Sequence, residues 1–200
     1  MAPDWNERFS DSEYAYGTEA NTFLADNATM LVDPVLSIAE GEGRNAVYLA
    51  TQGFRVHAVD GSEAGLEKAA RLAADQNVTI TSEVADLNDY QTHPDSWGSI
   101  VSIYAHLPRP LRIKLYPMLV QALKPGGILI FEAYSESQRG RGTGGPNDLE
   151  LLMTCRKIEE EWKGLETILL HEIEREVHEG KFHTGMASVV QYIARKPEQN

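Results

Sequence analysis

The stretch from Pro34 to Ala50 constrains this chain more than any other. It reads Pro-Val-Leu-Ser-Ile-Ala-Glu-Gly-Glu-Gly-Arg-Asn-Ala-Val-Tyr-Leu-Ala. Val35 to Ala39 has the length and β-branched content of a buried strand. Gly41 and Gly43 lack a Cβ, so the backbone can turn sharply and approach a ligand closely. From Arg44 onward, Val47, Leu49 and Ala50 suit a helix packed on a sheet. A strand feeding a helix through such a turn aims backbone N–H groups and the positive end of the helix dipole at one point. That is the cofactor corner of doubly wound α/β folds. Two glycines alone fit a plain turn equally well, so the rest of the chain has to decide.

The spacing of apolar and turn residues places the other elements. Glu19 to Met30 carries Ala20, Phe23, Leu24 and Ala28 at helical spacing. Gly53 ends the helix that follows the corner. Phe54 to Val59 is a second strand, closing on Asp60, and Ser62 is an N-cap for a helix to Gln76. Val78 to Val84 is a third strand and Ser99 to Tyr104 a fourth. Pro108 or Pro110 opens a helix through Leu123, and Lys124-Pro125-Gly126-Gly127 turns into a fifth strand, Ile128 to Tyr134. The apolar runs are near continuous, as in strands covered on both faces. Asp148 is an N-cap candidate for a helix through Trp162. Thr167 to Val177 and Ala187 to Ala194 alternate, as an antiparallel hairpin turning at residues 179–185 would. The expected fold is a single α/β domain over 1–200: a doubly wound, mostly parallel seven-stranded sheet of Rossmann-like type, with helices on both faces and a C-terminal antiparallel hairpin.

Two segments stand apart. Residues 1–18 are polar and aromatic (Trp5, Phe9, Tyr14, Tyr16), which fits either a packed N-terminal arm or, with the following helix to residue 30, a lid over a site. Residues 135–147 are glycine-rich and polar, the pattern of a mobile loop. The formal net charge of −12 repels nucleic acid phosphate, so a nucleic acid partner is disfavoured and a small-molecule substrate is expected. A single cysteine, Cys155, permits no intrachain disulfide, and no metal-ligand spacing occurs. Without a signal-like N-terminus or a membrane-length apolar run, the expectation is a cytoplasmic protein with no membrane partner. Oligomeric state is not legible.

In parallel sheets of this kind, ligands lie beyond the carboxyl ends of the strands. After the first strand sit Ala39, Glu40, Gly41, Glu42 and Gly43. At the end of the second sits Asp60, whose carboxylate can accept from both hydroxyls of a ribose. After the third, Asp86 can accept from an exocyclic adenine amine with Leu87 against the ring. After the fourth come Ile103, Tyr104, Ala105 and His106. Together these describe an adenosine-containing cofactor.

On these residues the chain resembles the class I S-adenosylmethionine-dependent methyltransferases over nearly its whole length. Ser37 to Gly43 matches the first family motif, Val59-Asp60-Gly61-Ser62 the ribose acid, Asp86-Leu87 the adenine side, and Leu123 to Leu129 the turn before the fifth strand. Trp5-Asn6-Glu7-Arg8-Phe9 with Tyr16-Gly17 is similar to the small bacterial tellurite-resistance and thiopurine methyltransferase-like proteins. The resemblance implies S-adenosylmethionine as cofactor, held by Arg8, Tyr16, Ala39, Glu40, Gly41, Gly43, Asp60, Gly61, Ser62, Asp86, Leu87 and Ile103, and no metal. Two positions depart from the pattern: Ser37 stands where the family carries an acid, and Ala39 where it carries a glycine. Glu40 and Glu42 either supply the missing charge opposite the cofactor's ammonium and sulfonium or face solvent.

Methyl transfer from a sulfonium is an in-line displacement that asks the protein chiefly to position reactants and exclude water. A base is needed only where the acceptor starts protonated. His106 and Tyr104 are the candidate catalytic residues, with Tyr134 nearby. Arg139, Arg141 and His183 are candidates to meet an anionic acceptor, each alternatively a plain surface residue. The expected acceptor is a small molecule or oxyanion. Two other functions fit part of the pattern. Gly41 to Ala46 also matches G-x-G-x-x-A, with Asp60 as the ribose acid of an NAD-dependent oxidoreductase. The departures at Ser37 and Ala39 also suit a non-catalytic protein that binds an adenosyl metabolite.

Overall fold

A computed structural model describes residues 4–198; residues 1–3 and 199–200 of the expected single domain lie outside the described residues. Seven strands form one sheet: β1 (Val35–Ile38), β2 (Val56–Asp60), β3 (Thr81–Val84), β4 (Trp97–Ile103), β5 (Leu123–Tyr134), β6 (Glu166–Glu179) and β7 (His183–Arg195). Their order is β3-β2-β1-β4-β5-β7-β6. The first five strands run parallel, and β7 joins both β5 and β6 antiparallel. Strand order reverses between β1 and β4, which is the switch point where this architecture opens a crevice.

Among the described residues six α-helices accompany the sheet: α1 (Trp5–Phe9), α2 (Thr22–Asn27), α3 (Arg44–Thr51), α4 (Glu63–Asp75), α5 (Arg109–Ala122) and α6 (Cys155–Glu161). On one face, Leu36, Ile38, Ile100, Leu129 and Phe131 pack with Leu115 and Tyr116 of α5, Ile158 of α6 and Trp162. On the other, Val35, Ala58, Val101 and Ile130 meet Phe23 and Leu24 of α2, Leu49 of α3 and Leu66 of α4. The central strands β1, β4 and β5 are thus apolar on both sides, as a doubly wound sheet requires. Among the described residues, no helix is long and apolar enough to cross a membrane.

Several boundaries differ from the sequence expectation, each for a local reason. The third strand is shorter, and all four of its residues are exposed. It is the sheet's edge, with turns rather than a helix between it and β4. The helix expected from Glu19 shrinks to α2 plus one 3₁₀ turn, Ala28–Met30, because Asn21 caps it through Leu24 N–H. Asp148 starts no helix. Met153 N–H donates to the Tyr134 carbonyl at 3.0 Å and draws this stretch into an extended bridge, so α6 begins only after its cap, Thr154. The Lys124–Gly127 turn sits inside β5 as a bulge: Trp97 pairs with Leu123, and Ser99 with Ile128.

Candidate active site

The corner after β1 is built by hydrogen bonds of its own side chains. Ala39 takes a left-handed φ of 50°, and Gly41 and Gly43 follow at 63° and 91°. A Cβ on Gly43 would lie 2.5 Å from the Ala69 Cβ, so a glycine is what lets α3 close onto α4. Gly41 N–H donates to Asp60 Oδ2 at 2.8 Å, and Ser62 N–H to Asp60 Oδ1 at 2.7 Å. Each Asp60 oxygen keeps a second lone pair for a diol. Burial raises the Asp60 pKa against those two N–H bonds. Ser62 caps α4 through Gly65 N–H.

The free N–H groups expected at the start of α3 are already engaged. Glu40 Oε1 accepts from Asn45 N–H at 3.0 Å and Ala46 N–H at 2.9 Å, while Ser37 Oγ donates to Oε2. Glu42 is also turned inward: it pairs with Lys68 at 2.5 Å and accepts from Ala15 N–H at 2.8 Å. Neither carboxylate faces solvent, and both are held by partners within the chain. A buried carboxylate needs such partners, and these two found them in the helix terminus and the lysine.

The N-terminal arm lies across this corner. Ser62 Oγ donates to Asn6 Oδ1 at 2.8 Å. Phe9 is buried, its ring 3.2 Å from the point a Gly41 Cβ would take and 2.9 Å from that of Gly65. The Arg8 guanidinium stacks over Phe182 at 4.2 Å, and Tyr16 packs on His183 with ring centroids 4.5 Å apart. The arm therefore bridges α4 and the β6–β7 turn.

Beyond the ends of β4, β5 and β7 four rings meet. Tyr104 stacks on Tyr134 at 4.6 Å, His106 on Tyr134 at 5.4 Å, and His183 stands edge-on to Tyr104 at 4.9 Å and to Tyr134 at 5.2 Å. His106 Nδ1 is 3.2 Å from the Leu151 carbonyl. A carbonyl only accepts, so Nδ1 carries the proton and Nε2 keeps a lone pair. That Nε2 is buried without a partner, as are Tyr134 Oη and His183 Nδ1. Burial pulls His106 down to about 4, and burial with the nearby Arg44 pulls His183 down to about 2, so both are neutral at pH 7. Burial, then Glu132, pushes the Tyr104 hydroxyl well above its usual range. The glycine-rich loop closes over this cluster, fastened by Gln138, which binds Thr143 Oγ1, the Gly144 carbonyl and Ser188 N–H.

Behind the rings runs a buried ionic network. Glu132, fully buried on β5, accepts from Arg175 Nη2 at 2.6 Å, Asn21 Nδ2 at 2.7 Å and Gln191 Nε2 at 2.5 Å. Arg175 Nη2 also reaches the Tyr104 hydroxyl at 3.2 Å and Glu179 at 3.1 Å. Glu179 pairs in turn with Arg44 Nη2 at 2.7 Å.

Of the residues singled out from sequence, Ala39 to Gly43 and Asp60 to Ser62 come together at the corner. Ala85 N–H donates to the Asp60 carbonyl, which brings β3's end alongside. Asp86 is exposed and tied to Asn88, while Leu87 is buried. Ile103 is a core residue. Tyr104, His106, Tyr134 and His183 converge. Arg141 instead pairs with Glu174 on β6. The sequence reading did not single out Arg44, Glu132, Arg175, Glu179 or Gln138. Glu132 had a signal: a lone carboxylate in an apolar strand demands a buried cation.

Residues 35–127 match the family described as "Methyltransferase domain". A stretch of the chain is 47% identical over 89 residues to the 23S rRNA (uracil(1939)-C(5))-methyltransferase RlmD of Halomonas elongata. The match takes in 39% of this chain and only 18% of that protein. Among solved structures, one described by the conversion of a disulfide bond into a thioacetal group during echinomycin biosynthesis has a TM-score of 0.78 at 15% identity, covering 98% of this chain and 89% of that one. TehB from Haemophilus influenzae has a TM-score of 0.73 at 21% identity, covering 96% and 67%. Likeness at such identities shows a shared fold. The nicotinamide alternative gives way to the matched domain. Residues 35–127 thus carry the match to a methyltransferase domain, and the sheet order gives the chain the Rossmann-like fold of these structures.

Proposed function

We propose that this chain is a class I S-adenosylmethionine-dependent methyltransferase, with S-adenosylmethionine as its cofactor, that methylates a small-molecule acceptor, as a cytoplasmic enzyme, at the ring cluster beyond β4 and β5. The observation that carries this reading is His106 Nε2: a buried, neutral, unpartnered lone pair at the end of β4, beside the switch point. The corner suits the cofactor. Asp60 retains acceptor capacity for a vicinal diol, Gly41 presents backbone without a side chain, and Leu87 offers an apolar surface. The cofactor supplies a sulfonium-activated methyl group whose departure leaves a neutral thioether.

The protein's own part is positioning and proton handling. His106 Nε2 takes the acceptor's proton as the acceptor is alkylated, with Nδ1–H held by the Leu151 carbonyl so that the ring cannot swing. Tyr104 is oriented by Arg175 through its hydroxyl. Phe9, packed on Gly41 and Gly65, and the loop held by Gln138 exclude water. A nucleic acid acceptor fits less well: the net charge is −12, and Arg44 and Arg175 are buried in ion pairs rather than displayed to phosphates.

The test is methyl-labelled cofactor with a panel of small thiols, phenols, amines and carboxylates, and total RNA alongside. Label in a small molecule is expected. His106→Gln should lower turnover by roughly 100-fold or more at unchanged S-adenosylhomocysteine affinity. Label found only in RNA, or a His106→Gln enzyme as fast as its parent, overturns the reading.

A further inference from the structure

The ring cluster holds more unpartnered polar atoms than His106. Tyr134 Oη, His183 Nδ1 and Arg44 Nη1 are all buried and have no hydrogen-bond partner. Tyr134 and His183 meet at one place, and Arg44 lies close enough to hold the His183 pKa down. Tyr134 Oη lies 2.6 Å, and His183 Cδ2 2.8 Å, from the single point a Gly144 Cβ would take. Arg44 arrives through Glu179, which it binds at 2.7 Å and which pairs with His183 across the hairpin. The nearest ionised side chains are Arg8, Arg44 and Arg175 against Glu132 and Glu179, three positive charges and two negative, which leaves one positive charge. Buried donors without partners are costly, and native proteins keep few of them. A cationic N–H, a phenol O–H and one net positive charge beneath a glycine loop are complementary to one compact anion.

We propose that Arg44, Tyr134 and His183 form an oxyanion subsite that binds a carboxylate-like monoanionic head of the methyl acceptor. This rests on the methyl-transfer reading for the word acceptor, but not for the anion. The order of the sheet places it there. Asp86 after β3, Asp60 after β2 and Gly41 after β1 would hold the adenosyl part, which leaves the β4 side for the acceptor, and Tyr134 on β5 and His183 on β7 lie one and two strands further on. The cofactor's own carboxylate is the rival source of the same chemistry.

The experiment uses the full chain and two variants. Tyr134→Phe removes only the unpartnered hydroxyl, and Arg44→Lys keeps a cation for Glu179 but loses the free N–H. Acetate and benzoate are titrated calorimetrically into each protein, alone and saturated with S-adenosylhomocysteine. Each variant should bind the anions at least tenfold more weakly. The melting temperature of ligand-free Tyr134→Phe should stay level or rise, which a merely structural hydroxyl would not allow. The ratio of affinities for S-adenosylhomocysteine and 5′-deoxy-5′-methylthioadenosine, which lacks the amino-acid part, should not change. No anion binding, or equal binding by all three proteins, overturns the subsite. A variant that weakens S-adenosylhomocysteine but not methylthioadenosine overturns the acceptor assignment and gives the subsite to the cofactor. If the parent fails to bind S-adenosylhomocysteine, methyl transfer falls, and the anion titration of the protein alone still decides the subsite.

Discussion

Replacing Glu132 with glutamine is the sharpest perturbation of the ionic network behind the site. Glu132 is fully buried, and its two oxygens accept four hydrogen bonds: two from Arg175, one from Asn21 and one from Gln191. An amide offers one oxygen and an NH₂ group, so at least one of those donors would face another donor. Arg175 would lose its principal counter-charge while remaining mostly buried. Removing one member of a buried ion pair costs about 3–5 kcal/mol, because the other is left uncompensated. For a domain of this size that lowers the melting temperature by roughly 6–20 °C. Replacing both members behaves differently. In Glu132→Leu with Arg175→Met no uncompensated charge remains, since Glu179 keeps Arg44 and Asn21. Apolar replacement of a buried pair is often near neutral. The double variant should therefore be more stable than Glu132→Gln alone, with a coupling of about 2 kcal/mol or more in a double-mutant cycle. Urea unfolding by circular dichroism measures it. A loss below about 1 kcal/mol for Glu132→Gln, or strictly additive losses in the cycle, would refute the account of the network.

Two further outcomes follow from the geometry. Gly43→Ala forces a methyl within 2.6 Å of the Ala69 Cα at a φ of 91°. Left-handed strain and overpacking together should destabilise by roughly 2–5 kcal/mol, and a loss under about 1 kcal/mol by urea unfolding would show that α3 and α4 do not close as described. His106 and His183 have folded pKa values of about 4 and about 2, below the ordinary 6.5. As pH falls from 6.5, the unfolded chain takes up protons that the folded chain refuses, so stability is full above 6.5 and drains away in acid. The loss is about 2 kcal/mol per histidine by pH 5. Glu40 and Asp60, raised by burial, work in the opposite sense, so the readout is the difference between parent and His106→Gln. The variant should lose less stability between pH 7.5 and 5, and equal losses would contradict a buried neutral His106.

The sheet was legible because its information is local. A strand buried on both faces writes itself as a continuous apolar run, and a glycine turn followed by an acid nineteen residues on marks the corner. What failed were features decided by distant partners. The sequence does not announce that β3 lies at an edge, so Thr81–Val84 looked as buried as its neighbours. Asp148 has the chemistry of an N-cap, but a bridge between Ser135 and Met153 pre-empts its helix. Glu40 and Glu42 look like charges awaiting a cofactor because the amide groups of Asn45 and Ala46 and the ammonium of Lys68 are invisible as partners until the chain closes. Arg44 could be read as part of the turn, but its link to Glu179 spans most of the chain.

The two departures from the family pattern are coupled to these missed partners. Without an acid at position 37, the buried end of β1 lacks a carboxylate. Glu40 folds back to within hydrogen-bonding reach of Ser37 and puts one there, three residues later in sequence. That carboxylate also caps α3, so the helix terminus that would present N–H groups to a ligand is neutralised from inside. Ala39, left-handed at φ 50°, carries the strain that a glycine would relieve, roughly 1–2 kcal/mol. The corner is thus more self-satisfied than its glycines imply. Unsatisfied polar atoms are found instead on Tyr134 of β5, His183 of β7 and His106 after β4, with Arg44 at the start of α3. Unpaired polar groups concentrate where binding is to occur, because a ligand that pairs them removes their desolvation penalty as it enters. On that ground this chain's selectivity is expected in the ring cluster, and cofactor recognition at the glycine corner.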